Sequence, residues 1–141
     1  MTILLDTSFY IALIDPTDKY YRRAPEILKE IQSGIHGQPF TNTLVMAESA
    51  VLVAIRTRKN TEAMQGMKDL FVGENCIAQL LRPTESTEIK AWELFIKINT
   101  TKKGQLVSYT DSINIIIAQQ HHINEIVTFD EYYEAWIRVI H

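Results

Sequence analysis

Thr2-Ile3-Leu4-Leu5-Asp6-Thr7-Ser8 sets the reading of the whole chain. Its apolar run, Ile3-Leu4-Leu5, is continuous rather than alternating. That pattern suits a strand covered on both faces, as in a parallel sheet. Asp6 ends the run, and Ser8 to Ile14 continues as a short helix stopped by Asp15-Pro16.

The alternation of strand and helix continues outward from there. Tyr20 to Ile31 is helical in pattern, with Ala24, Ile27, Leu28 and Ile31 on one face, Pro25 in the first turn and Ser33-Gly34 at the close. Gln38 to Thr41 reads as a strand, Thr43 to Arg58 and Asn60 to Val72 as helices, and Cys76 to Leu81 as a strand. Pro83-Thr84 opens a helix through Asn99, with Thr84 as its N-cap. Lys102-Lys103-Gly104 reads as a turn, and Thr110 as the cap of a helix from Asp111 to about His121. Glu125 to Thr128 is a strand, Glu131 to Tyr133 a brief helical turn and Ala135 to Ile140 a last strand. Strands joined by helical crossovers predict a parallel sheet with helices on both faces. Such sheets carry their sites at the carboxyl ends of strands.

A length of 141 residues fits one domain, 1–141, able to bury about two-thirds of its unfolded surface. The net charge of −3 gives no sign of a nucleic-acid binder, although a bound cation would invert the local sign. The single cysteine, Cys76, reads as a small core residue, and a chain without an intrachain disulfide suits a cytoplasmic setting. No secretory leader is visible, and no apolar stretch approaches the roughly 20 residues of a membrane span.

Four carboxylates stand out. Asp6 and Asp130 follow strands, at the sheet edge where sites form. Glu48 falls within the stripe Leu44, Ala47, Val51, Ala54 and Ile55, where a buried carboxylate would cost several kcal/mol unless paired. A wet helix edge or a distant arginine would answer equally well. Asp111 shares a face with Asn114, Ile115, Ala118 and His122, and is also an ordinary helix-start residue. Two carboxylates about 4 Å apart repel by roughly 4 kcal/mol at an effective dielectric near 20. A divalent cation removes the conflict. All-oxygen ligands, with no His or Cys among them, favour Mg²⁺ or Mn²⁺ over zinc.

The remaining signals are weaker. His121-His122 ends a helix, and His36 and His141 sit in a loop and at the terminus. Arg56, Arg58 and Lys59 form a basic run at a helix end, a solvated terminus or a contact for RNA phosphate. Lys19, Arg22 and Arg23 flank Tyr20 and Tyr21, a combination that suits a partner surface or single-stranded RNA. Trp92 and Trp136 read as core.

The runs Leu4-Leu5-Asp6-Thr7-Ser8, Ala47-Glu48, Thr110-Asp111-Ser112 and Val127-Thr128-Phe129-Asp130 together resemble the PIN domain, specifically VapC-type toxin ribonucleases. The resemblance spans essentially the full chain. It implies a three-layer α/β/α sandwich around a parallel five-stranded sheet of order 3-2-1-4-5. It further implies Mg²⁺- or Mn²⁺-dependent endonucleolytic cleavage of RNA, a small VapB-like antitoxin partner and a homodimer. By position, Asp6, Glu48, Asp111 and Asp130 match the family's acidic quartet, as metal ligands and catalytic groups. Ser8 and Thr128 match its hydroxyl positions, and Asn114 lies one helical turn past Asp111. Basic residues are sparse near these motifs.

Rival classes fit less well. A haloacid-dehalogenase-like phosphatase wants an Asp where Ser8 stands. A receiver domain wants an acidic pair where Leu5-Asp6 stands and a late lysine, and none follows Lys103. An RNA-processing nuclease outside any toxin pair, and a PIN fold kept as a non-catalytic scaffold, remain the alternatives.

Overall fold

Consecutive residues of β1 (Thr2–Leu5) serve opposite cores. In the computed structural model, which describes residues 1–101 and 104–141, Ile3 and Leu5 join one apolar cluster while Leu4 joins another. This is the period of two of a strand buried on both faces. β1 is the central strand of a five-stranded sheet with β2 (Gln38–Asn42), β3 (Gln79–Leu81), β4 (Glu125–Val127) and β5 (Arg138–Ile140). The order is β3-β2-β1-β4-β5 and every pairing is parallel. Leu5 pairs with Val127, so β1 and β4 end side by side. Pro39 is tolerated inside β2 because pairing with β3 begins only at Phe40 and Gln79.

The helices are α1 (Thr7–Ile14), α2 (Ala24–Gln32), α3 (Thr43–Arg56), α4 (Thr61–Phe71), α5 (Glu85–Thr101) and α6 (Tyr109–Gln120). The first cluster packs Ile3 and Leu5 with Phe9, Ile27, Val45, Val53, Met67 and Phe71 of α1 to α4. The second packs Leu4 with Ala91, Ile113 and Ile117 of α5 and α6, and with Ile126 and Tyr133. The result is the three-layer α/β/α sandwich that the resemblance implied. Gly37 enters β2 at φ +77°, where a Cβ would collide with the Met1 carbonyl oxygen, so only glycine fits. No helix among the described residues is long and apolar enough to cross a membrane.

Several elements depart from the sequence reading. The stretch Tyr20 to Arg23 is a run of turns, tied by Tyr20 N–H to Asp18 Oδ1, and α2 begins only at Ala24. β3 is shorter than Cys76 to Leu81, and Cys76 is exposed rather than core. Ser108, not Thr110, caps α6: its hydroxyl accepts from Asp111 N–H while the Asp111 carboxylate accepts from Ser108 N–H. This reciprocal box satisfies two helix-end donors, which Thr110 alone could not. A 3₁₀ turn runs from Glu131 to Ala135, so β5 starts at Arg138. Trp92 is 52% exposed and Trp136 40%. The expected turn at Lys102-Lys103 lies outside the described residues.

The largest correction concerns α3. Its buried residues are Val45, Ser49 and Val53, one residue out of phase with the stripe read from the sequence. Val51 is 58% exposed and Ile55 66%. Glu48 is consequently half-buried at the edge of the packed face.

Candidate functional site

Asp6 leaves the carboxyl end of β1 and opens α1, its carbonyl accepting from Phe9 and Tyr10 N–H. Its carboxylate faces α6 and the end of β4. Asn114 Nδ2 donates to Oδ1 at 2.9 Å, and the Thr128 hydroxyl donates to Oδ2 at 2.8 Å. Asp6 is 4% exposed, and no ion pair reaches it among the described residues. Burial pushes its carboxyl up to about 7 from 3.8. The charge of Asp111, and more weakly that of Glu48, adds to the rise against hydrogen bonds from Thr128 and the Thr7 backbone.

Asp111 stands in the first turn of α6 with both carboxylate oxygens engaged. Oδ2 accepts from Ser108 N–H at 3.1 Å, and Oδ1 accepts from the Tyr133 hydroxyl at 2.7 Å. Asn114, fully buried one turn along among Ile113, Ile115 and Ile117, links the two acids. Its amide donates to Asp6 Oδ1 and, at 3.0 Å, to the Tyr133 oxygen. Asn42, at the end of β2, donates to Asn114 Oδ1 at 2.7 Å. Asp6, Asn114, Tyr133 and Asp111 thus form one hydrogen-bonded chain.

The hydroxyls make a second chain. Ser8 Oγ lies 3.1 Å from Thr128 Oγ1 and accepts from Phe129 N–H. Thr128 Oγ1 accepts from Asp130 N–H at 3.1 Å. Asp130 itself accepts from Tyr132 N–H and so starts the 3₁₀ turn. Asp130 and Ser8 line a cleft of about 620 Å³ with Tyr20, Arg56, Phe129 and Tyr132. Tyr20 stacks on Phe129 at 4.1 Å between ring centres. Arg56 reaches Asp18 at 2.8 Å.

Comparison with known proteins fixes the family. The PIN domain matches residues 3–136. The chain belongs to the PIN domain family. Among solved structures it is similar to Mycobacterium tuberculosis VapC20, described as a Sarcin-Ricin loop cleaving toxin, with TM-score 0.76 and 20% identity over 94% of this chain and 93% of that one. It is also similar to VapBC2 from Rickettsia felis bound to a promoter DNA fragment (TM-score 0.65, 17% identity, 99% and 98% coverage). FitAcB from Neisseria gonorrhoeae gives 0.67 and 19%, with 99% and 96% coverage. At these identities the likeness is one of fold. No curated protein matches.

Within this PIN domain the four acids are not equivalent. Asp6 and Asp111 share the Asn114–Tyr133 link, Glu48 is near enough for its charge to bear on Asp6, and Asp130 borders the cleft. No group of three His, Cys, Asp or Glu among the described residues forms a ready cage for a metal ion. The donor chemistry still suits a hard cation. Mg²⁺ keeps several waters and commonly takes only one or two carboxylates from the protein. A nearly dry carboxylate with no positive partner among the described residues, coupled to a second carboxylate, is the electrostatic situation such an ion relieves. Each oxygen of Asp6 and Asp111 also retains acceptor capacity beyond the bond it makes.

Asn42 and Tyr133 were not singled out from the sequence. Tyr133 lies between Tyr132 and Glu134 in what reads as a brief helical turn, and nothing there marks its hydroxyl for the site. The available signal was Asn114: a polar side chain in the run Ile113 to Ile117 demands a buried partner.

Proposed function

We propose that this PIN domain is a divalent-metal-dependent endoribonuclease, the toxin of a toxin–antitoxin pair. The observation that carries the reading is Asp6, a buried carboxylate raised by burial and by Asp111, with no cation paired to it among the described residues. Family membership and the fold shared with VapC20, described as a Sarcin-Ricin loop cleaving toxin, support the reaction class.

Asp6 and Asp111 would hold Mg²⁺ or Mn²⁺, with Glu48 and Asp130 at its margin. When bound, the cation lowers the pKa of a nearby water and offsets charge on the phosphodiester. Asn114, Tyr133 and Thr128 keep the buried Asp6 carboxylate and the half-buried Asp111 carboxylate turned toward the site. Asp130, in the cleft, takes the proton of the attacking water. The water oxygen bonds to phosphorus as the bond to the 3′ oxygen breaks, leaving 5′-phosphate and 3′-hydroxyl ends. Arg56, in the same cleft, supplies a cation for RNA phosphate.

A small VapB-like antitoxin is the expected partner, since the fold is shared with VapBC2 and FitAcB. A second copy of the chain is the other: Val51 and Ile55 of α3, and Ile89, Trp92 and Ile96 of α5, are exposed apolar side chains suited to protein contacts. The setting is cytoplasmic, where RNA is found.

Incubating the purified chain with structured RNA in Mn²⁺ and in EDTA tests the reaction. Cleavage in Mn²⁺ only, with ends that accept ligation to a 3′-hydroxyl without prior phosphorylation, is expected. A chain that binds Mn²⁺ yet leaves RNA intact would favour the scaffold alternative.

A further inference from the structure

The hydrogen bonds around Asp6 and Asp111 have a direction, and it is set from outside the site. Asn42 is the N-cap of α3, and its Oδ1 accepts from Leu44 N–H at 3.0 Å and Val45 N–H at 3.1 Å. Those backbone donors cannot be reversed. They fix Asn42 Oδ1 on the helix side and leave its Nδ2 to donate to Asn114 Oδ1. Asn114 therefore has its oxygen committed, and its Nδ2 must face Asp6 Oδ1 and the Tyr133 oxygen. Tyr133 in turn accepts from Asn114, so its one proton is free to go to Asp111 Oδ1. At 2.7 Å this is a well-formed O–H···O hydrogen bond. Amide orientation and hydroxyl direction, usually matters of choice, are here dictated by one helix cap.

The placement excludes slack. Asn42, Asn114 and Tyr133 are each 0% exposed, so no water competes for the bonds among them, and the relay ends on the half-buried Asp111. Asp111 has its other oxygen tied to the Ser108 backbone, so the Tyr133 hydroxyl is the second point that fixes the carboxylate plane. A phenylalanine would fill the same space in the apolar cluster around Leu4 and Ile126. The hydroxyl adds nothing to that packing.

We propose that Tyr133, oriented by Asn42 through Asn114, is a positioning residue that holds Asp111 in the attitude needed to bind a divalent cation together with Asp6. The proposal rests on the metal-dependent reading above. Hydrogen-bonded partners of ligating carboxylates commonly change metal affinity by about 10–100-fold when removed.

The test measures Mn²⁺ affinity directly, from the electron paramagnetic resonance signal of free Mn²⁺ over the full-length chain. Tyr133→Phe removes one oxygen and keeps the ring; its Mn²⁺ Kd is expected to rise about tenfold or more. Asn42→Ser keeps a capping hydroxyl for α3 but loses the donor to Asn114. It is expected to weaken Mn²⁺ in the same direction, and it serves if Tyr133→Phe does not fold. A tyrosine that only packs would leave the Mn²⁺ Kd alone in Tyr133→Phe, whatever the lost hydrogen bonds do to the melting midpoint of the metal-free protein. Wild-type Kd values in the folded variants would overturn the proposal while leaving the nuclease reading intact. A wild-type chain that takes up no Mn²⁺ would overturn both.

Discussion

Asn114 Nδ2 donates to Asp6 Oδ1 at 2.9 Å, and together with the Thr128 hydroxyl, 2.8 Å from Oδ2, it offsets part of the carboxylate's burial. It does not suffice, since the folded-state pKa stands at about 7 against 3.8 for the free group. A carboxyl that holds its proton more tightly when folded contributes stability that is complete below about pH 4. That contribution is lost as pH rises toward 7, because the unfolded chain gives up the proton first. The full separation corresponds to about 4 kcal/mol, an upper bound. In EDTA, wild type should lose about 10 °C in melting midpoint relative to Asp6→Asn between about pH 4 and about pH 8. Saturating Mn²⁺ at the higher pH should restore most of it. A wild-type-minus-variant difference that does not move with pH would show that Asp6 carries no such strain.

Asp6→Asn and Asp111→Asn should both reduce Mn²⁺-stimulated RNA cleavage by roughly 100-fold or more. Their stabilities should part company. Asn at position 6 can still meet Asn114 and Thr128, whose hydroxyl can turn. Asn at position 111 must set an NH₂ against either Ser108 N–H or the Tyr133 hydroxyl, both donors. It should therefore cost about 1–2 kcal/mol, readable by urea denaturation in EDTA. Equal stabilities would mean that the Asp111 bonds do not hold as described.

The alternation of apolar runs with helical periods was enough to read a parallel α/β sheet, because β1 and β4 are buried on both faces and look it. The strand order was not readable from periodicity; it followed from the resemblance. α3 was misphased because Val45, Leu52 and Val53 compete with Leu44, Val51 and Ile55, and a helix apolar on two faces does not declare which one is packed. That error inflated the burial of Glu48, and the carboxylate that is costly to bury proved to be Asp6. Asp111 was legible as a helix-start residue, and one of its oxygens does close the capping box while the other accepts from Tyr133. Tyr133 was illegible because its ring belongs to the core and only its hydroxyl reaches the acids.

Arg56 lines the cleft beside Asp130 while reaching Asp18 at 2.8 Å and Asp15 at 3.9 Å. Its side chain is partly exposed, so the pair with Asp18 is worth less than about 1 kcal/mol and can yield to a phosphate. Arg56→Gln should weaken binding of single-stranded RNA, measured by fluorescence anisotropy in EDTA to prevent cleavage. The slope of log affinity against log salt should become shallower by about 0.7, the value of one phosphate contact on a single strand. Thermal stability should hardly change. An unaltered slope would place the RNA backbone away from this cleft.

Val51 and Ile55 lie one turn apart on the solvent face of α3, 58% and 66% exposed. Covered by a second copy across a two-fold axis, they would contribute four apolar side chains, roughly 6 kcal/mol at full burial. Replacing both with lysine sets like charges against each other across that axis. Wild type is expected to run as a dimer and the double variant, Val51→Lys with Ile55→Lys, as a monomer, by light scattering at matched concentration. Because neither side chain belongs to either core, its metal-free melting midpoint should lie within a few degrees of that of a wild-type monomer, reached by dilution. A variant that remains dimeric would move the interface off α3, with the exposed α5 side chains Ile89, Trp92 and Ile96 the next surface to charge.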